Sequence, residues 1–299
     1  MNIWQLVSFS ILITLFSTSI IAKQVECSRV EIPIIFDEFG LPTIEVIIGG
    51  STYRALVDLG AEEGIYFPIS EIKKISGVKY TGETVNSVNI LGATHSDRKF
   101  FLPALKVQCM RFNNLTGLEL SPWAASLGDA PEGVEENQQV VLGRGFFYDK
   151  VVTFDYTNET ITIDGYESTG IAQNYTEFKP YVESNEGDIV LQMDSSVDSY
   201  QMILDTGATS SMISTNKVNT DESFSDCNLN LGADIQCKFF VSSVEILGQN
   251  FSSDILSYPL SPMFAMDGLL GGDFMDKFVV TINFSEQSIS LLPSQVSVL

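Results

Sequence analysis

Ala55-Leu-Val-Asp-Leu-Gly-Ala-Glu-Glu63 and Met202-Ile-Leu-Asp-Thr-Gly-Ala-Thr-Ser210 are the two stretches on which the reading of the fold turns. Each is an apolar run ending in Asp-x-Gly-Ala, the pattern of a buried strand entering a tight turn. Gly60 and Gly207, each two residues after an Asp, permit backbone geometry that other residues resist. A single copy would read as an ordinary turn with a capping Asp. Two copies raise the question of whether the chain repeats elsewhere.

It does, in the same order. Leu91-Gly-Ala-Thr94 returns as Leu231-Gly-Ala-Asp234, Lys99-Phe-Phe101 as Lys238-Phe-Phe240, and Leu120-Ser-Pro122 as Leu260-Ser-Pro262. The longest match sets Val141-Leu-Gly-Arg-Gly-Phe-Phe-Tyr-Asp-Lys-Val-Val-Thr-Phe-Asp-Tyr156 against Leu269-Leu-Gly-Gly-Asp-Phe-Met-Asp-Lys-Phe-Val-Val-Thr-Ile-Asn-Phe284. Chance could produce any one of these, but the shared order points to two homologous lobes. Strand-like runs such as Glu45–Ile48, Thr160–Ile163, Asp188–Met193 and Ser288–Leu292 recur throughout, and helical periodicity is scarce. The expected fold is therefore all-β: two pseudo-twofold, β-barrel-like lobes with a cleft between them. The expected boundaries are an N-terminal lobe over 23–166, a linker over 167–186 and a C-terminal lobe over 187–299. Ala124 to Gln139, rich in Glu, Gly and Pro, reads as a surface insertion in the first lobe.

Bulk composition narrows the functions. With 44% hydrophobic residues among 299, a full core is within reach. A formal charge of -22 argues against nucleic acid and anionic membrane as partners, since phosphate attracts the opposite sign. It suits basic ligands, stability in acid, or simply a solvated acidic surface. Ile3 to Ala22 is an apolar stretch with small residues before Lys23, which reads as a signal peptide over 1–22. No Lys or Arg precedes it, so an uncleaved membrane anchor is the alternative to a secreted or periplasmic protein.

Cys27, Cys109, Cys227 and Cys237 fit an oxidising compartment with two disulfides, and sequence does not choose among the pairings. The near symmetry of 227–237 about Gly232 favours a stapled hairpin, which leaves Cys27 with Cys109. Cysteine spacing is wrong for zinc, and His95 is the single histidine, so neither a metal site nor most histidine-based nucleophilic catalysis is expected. No cofactor is implied. His95 reads more simply as a solvent-exposed loop residue than as a pH sensor. The sequons at Asn114, Asn158, Asn174, Asn250 and Asn283 do not fix a host.

Pseudo-twofold packing of the lobes would bring Asp58 and Asp205 together at the axis. Carboxylates about 3 Å apart cannot both ionise, so they share a proton over a wide pH range. One then serves as base toward water while the other protonates a carbonyl oxygen, which is what metal-free peptide hydrolysis requires. These elements resemble the aspartic protease superfamily, both pepsin-like and retropepsin-like. The matching parts are Asp58-Leu-Gly60, Asp205-Thr-Gly207, and the apolar-Gly elements Val141-Leu-Gly143 and Leu269-Leu-Gly271. The resemblance spans about Glu31 to Leu292 and is similar in effect to a fused retropepsin dimer.

It implies flap tips near Gly92 and Ala93 and near Gly232 and Ala233 that cover an extended peptide. It implies a substrate-binding role for Glu62, Asp58 and Asp205 as the dyad, and Gly60, Thr206 and Gly207 as its support. The implied partner is a peptide or unfolded protein, bound by a monomer. Leu59 departs from the pattern. In the family a Thr or Ser in each loop crosses to hydrogen-bond the other, and Leu59 cannot. A peptide-binding relative without turnover is therefore the rival reading; a third is a surface-interaction protein in which the cleft is a relic.

Overall fold

Some strands follow directly from alternation of apolar and polar residues, and others are apolar and buried on both faces. In Arg29–Pro33 the side chains alternate exposed and buried, with Val30 and Ile32 turned inward. In the computed structural model, residues 27–88, 94–120, 140–165, 177–219, 221–226 and 238–294 are described. Their helical content is confined to Ile69–Ile72, a 3-10 turn over Arg144–Phe147, and Gly272–Met275.

Two eight-stranded sheets repeat one order of strands. In the N-terminal lobe the order is Ile35–Phe36, Pro42–Ile48, Ser51–Asp58, Val140–Gly143, Ile65–Pro68, Met110–Leu120, Thr94–Val107 and Lys79–Val88. The sheet curls until Ile47 in its second strand pairs with Lys106 in its seventh. In the C-terminal lobe the order is Val182–Glu183, Ile189–Asp194, Ser199–Leu204, Gly268–Leu270, Met212–Ser214, Gln249–Tyr258, Lys238–Ile246 and Phe224–Asp226. Here Met193 closes on Ile246. The two Asp-bearing strands each run parallel to an apolar-Gly strand: Asp58 is in register with Gly143, and Leu204 with Leu270.

A third sheet of six strands joins the lobes. Its centre pairs Lys150–Asp155 with Phe278–Asn283 antiparallel, and Thr153 stands opposite Thr281. These threonines hold the same place in the matched segments Val151–Tyr156 and Val279–Phe284. Their hydroxyls meet at 3.0 Å, so the pseudo-twofold axis passes between them. Phe147 from the first lobe stacks on Phe284 from the second at 5.8 Å. One apolar cluster runs through both lobes and this sheet, including Val57, Phe100, Phe147, Phe240, Phe274 and Ile282. Burial of each such side chain contributes about 1.5–3 kcal/mol, so the lobes are packed as one body.

The stretch read as a linker carries two short strands. Lys179–Pro180 edges the six-stranded sheet, and Val182–Glu183 begins the C-terminal one. Two-residue strands leave no periodicity for a sequence to display. Cys27 and Cys109 form a disulfide across 82 residues of chain, tying the first strand to the Val107–Met110 turn. The other expected disulfide, the four flap-tip residues, residues 1–22 and the 124–139 insertion lie outside the described residues.

Candidate active site

Each Asp is delivered by the end of a core strand. Val57 and Leu204, the residues just before Asp58 and Asp205, are fully buried, which anchors both loops to the packed interior. Gly60 N–H donates to Asp58 Oδ1 at 2.8 Å, and Gly207 N–H to Asp205 Oδ1 at 2.9 Å. The two carboxyls come together across the interface of the lobes, near enough that each perturbs the other's ionisation.

The glycines earn their place differently from the sequence expectation. Neither has a left-handed φ. What they provide is room: a Cβ on Gly60 would stand 2.7 Å from Asp205 Cγ, and one on Gly207 would stand 2.5 Å from Asp58 Cγ. Each glycine clears space for the carboxyl of the opposite lobe. Behind them, the apolar-Gly strands press on the loops just as closely. A Cβ on Gly143 would lie 2.5 Å from Ala61 O, and one on Gly271 would lie 2.8 Å from Ala208 O. Backbone bonds repeat here too: Arg144 N–H donates to Ala61 O at 2.9 Å, and Gly272 N–H to Ala208 O at 2.8 Å.

Thr206 is fully buried between the loops. Its hydroxyl donates to Val57 O at 2.8 Å and accepts from Leu59 N–H at 2.9 Å. The donor that Leu59 exposes on its own backbone is therefore satisfied from the other lobe. Leu59 itself has no hydroxyl to send back, and its side chain joins the main core, fully buried. The interlobe brace is thus one-sided.

Burial pushes both dyad carboxyls above the ordinary Asp range. For Asp205 the charge on Asp58 adds to burial and holds it well above. For Asp58 burial is opposed by the neighbouring Asp205 carboxyl, by the Gly60 and Ala61 amides and by the Arg144 guanidinium. Two buried carboxyls coupled in this way hold one proton between them over a wide pH range.

The acids after Ala61 diverge. Glu62 is exposed beside the loop. Glu63 is engaged in structure, paired with Lys99 at 2.6 Å and bonded by Thr116 at 2.6 Å. Tyr66 was not anticipated from sequence. Its hydroxyl accepts from the Glu62 and Glu63 amides at 3.1 and 3.2 Å, and burial pushes its pKa up to about 12. In the second lobe the corresponding support is Ser211, which donates to Asp273 from its amide at 2.7 Å and its hydroxyl at 2.6 Å. Arg144, also missed, is buried against the back of the first loop. Its signal in the sequence was the contrast between Gly143-Arg-Gly145 and Gly271-Gly-Asp273 within the longest internal match.

The overall fold is matched among solved structures. The crystal structure of an aspartic proteinase from Irpex lacteus superposes with a TM-score of 0.56, covering 90% of this chain and 98% of that one at 13% identity. The fold is that of an aspartic proteinase. No family model and no curated protein matches the chain. Among the described residues no cluster of His, Cys, Asp and Glu is arranged to hold a metal ion, and no helix is long and apolar enough to cross a membrane.

Proposed function

We propose that the chain is an aspartic endopeptidase in which Asp58 and Asp205 direct a water molecule onto a peptide carbonyl. The contact between two buried carboxyls, each delivered by its own lobe and seated against the opposite glycine, carries this reading. Ionised Asp58 takes a proton from water as the water oxygen bonds to the carbonyl carbon. Asp205 gives its proton to the carbonyl oxygen, forming a neutral gem-diol. Collapse returns a gem-diol proton to Asp205, while Asp58 passes its proton to the leaving nitrogen as the C–N bond breaks.

The substrate is an extended peptide, held by strand-like backbone pairing largely independent of its side chains. Ala61 packs in a small apolar cluster with Leu120 and Val141, and Ala208 against one that includes Met212 and Leu269, so each Asp loop runs on into its own apolar support. In this reading Glu62 accepts from the peptide backbone, and the covering role expected from sequence for Gly92, Ala93, Gly232 and Ala233 belongs to the same proposal. The protein works as an exported monomer with lobes 23–166 and 187–299, after loss of residues 1–22; the Cys27–Cys109 disulfide suits that compartment. Activity belongs to acidic conditions in which the pair holds one proton.

A second reading, peptide binding without turnover, is favoured by Leu59 and its missing hydroxyl bond. The deciding experiment incubates the protein with a diverse peptide mixture from about pH 3 to pH 7, beside Asp58→Asn and Asp205→Asn, with products mapped by mass spectrometry. Cleavage in the parent, reduced by at least about 100-fold in each variant, is the expected outcome. A folded protein that binds peptides and cleaves none would establish the second reading instead.

A further inference from the structure

Leu59 removes one of two reciprocal bonds between the loops, and the same loop is the one touched by a buried guanidinium. Arg144 Nη1 donates to Gly60 O at 3.0 Å and to Leu59 O at 3.4 Å. The same nitrogen pairs with Asp188 Oδ1 at 3.0 Å, and Nη2 donates to Glu186 O. Arg144 belongs to the N-terminal lobe, directly after the strand Val140–Gly143. Glu186 and Asp188 open the C-terminal strand Ile189–Asp194, whose neighbour Ser199–Leu204 leads into Asp205. Ser184 fixes the far side of Asp188 by donating to Oδ2 at 2.8 Å.

We propose that Arg144 and Asp188 form a second interlobe brace that takes over the positioning role Leu59 has given up, holding the Asp58 loop against the C-terminal lobe from outside. Three observations converge on it. The pair is buried, with side chains 4% and 11% exposed, so solvent does not dilute the contact as it does at a surface. It grips the carbonyls of the very residues that form the Leu59-Gly60 turn, whereas Thr206 grips the Val57 carbonyl and Leu59 amide. And it is one-sided: the matching position in the other lobe is Gly272, in the lobe whose loop retains its Thr. Arg144 Nε remains buried without a partner, a cost the site accepts for placing the other two nitrogens.

The inference rests on the protease reading only for its kinetic consequence, so the test carries two kinds of readout. Arg144→Met, Arg144→Lys, Asp188→Asn and Leu59→Thr are made singly, and Leu59→Thr is combined with Arg144→Met. Each is assayed for kcat and KM on a cleaved peptide, for thermal midpoint, and for the carboxyl titrations of Asp58 and Asp205 by carbon NMR. The charged or titratable groups that act on this pair, besides each other, include Arg144 and Asp188, and Tyr66 and Tyr156 lie within its field.

Arg144→Met is expected to lower kcat about 100-fold with little change in KM, as displacement of a reacting group does. It should move the Asp58 titration upward, because a nearby cation is lost. Leu59→Thr should recover about tenfold in that background, yet alter kcat less than about threefold in the parent. Arg144→Lys, which keeps the charge but has one donor centre, should leave the titration near its parent position while kcat falls partway. Should Arg144→Met fail to fold, Arg144→Lys and Asp188→Asn decide the matter in the same way.

Equal factors for Leu59→Thr in both backgrounds, from a protein that cleaves peptides, would overturn the brace and leave the protease reading in place. If no variant cleaves anything, the cycle is read in thermal midpoints and titrations. Coupling there would uphold the brace while the protease reading falls, and additivity there would sink both.

Discussion

The two Asp loops share a backbone and differ in what holds it. Both carboxyls accept from the amide two residues on, both strands end against an apolar-Gly neighbour, and both glycines yield space to the opposite acid. Beyond that the support diverges. The C-terminal loop carries the brace: Thr206 reaches across to the first loop, and Ser211 with Asp273 fixes its outer turn. The N-terminal loop is held by others, through the Tyr66 hydroxyl, the Lys99–Glu63 pair and Arg144. The same backbone contacts can thus be supported by different side chains. What must be preserved in both loops is the close approach itself, because that alone fixes the separation of the two acids.

Substituting the glycines tests that claim most severely. Gly207→Ala places a methyl 2.5 Å from Asp58 Cγ, and Gly60→Ala places one 2.7 Å from Asp205 Cγ. Neither position has slack, since the obstructing group is the dyad itself. Each variant should lose at least about 100-fold in peptide cleavage, measured on protein whose circular dichroism matches the parent. The two losses should be similar. A tolerated Gly60→Ala beside an inactive Gly207→Ala would mean that the N-terminal loop can move aside, and the equivalence of the loops would be broken.

Thr206→Val probes the one-sided brace. The variant keeps shape but strands the Leu59 amide and the Val57 carbonyl in a fully buried site, at a cost of about 1–3 kcal/mol for each group left unpaired. Urea unfolding should record that loss, and Thr206→Ser should restore most of it. Leu59→Val, in contrast, removes one buried methylene and no hydrogen bond, and should cost about 0.5–1.5 kcal/mol. If the Leu59 change proved the more damaging, the loop would be held by the core rather than by the hydroxyl.

How much of this could be read from the sequence follows from how local each signal is. The Asp-x-Gly-Ala pair, the apolar-Gly strands and Thr206 are contiguous motifs with internal copies, and they announced the bilobal all-β fold and the acids at its centre. Arg144 was in plain view, yet nothing local tells a buried guanidinium from a surface one. Its partners, Asp188 and the carbonyls of Leu59, Gly60 and Glu186, are more than forty positions distant or on the backbone, where sequence is silent. Tyr66 fails for the same reason, reading as one more apolar strand residue. The glycines were found for a reason the structure replaces: a sequence shows that a side chain is missing, but only the fold shows what occupies its space.

The smallest predicted effect concerns which loop holds the shared proton, and pH-dependent stability resolves it. In the unfolded chain Asp205 ionises near its ordinary value of about 3.9. In the fold burial and the Asp58 charge hold its proton to higher pH. A raised carboxyl pKa contributes stability that is full below the unfolded value and is lost as pH rises through the folded one, at about 1.4 kcal/mol for each unit of separation. The remaining acids of a chain with net charge -22 impose their own slope, but that slope is common to parent and variant and cancels in the difference. Asp205→Asn should therefore gain on the parent progressively from about pH 4 upward, as measured by thermal midpoints at a series of pH values. Asp58→Asn should gain less, since Arg144 and the Gly60 and Ala61 amides already favour the ionised form of Asp58, and the Asp205 left behind stays buried. A larger gain for Asp58→Asn would reverse the assignment, making Asp205 the base and moving the asymmetry of the site from the first loop to the second.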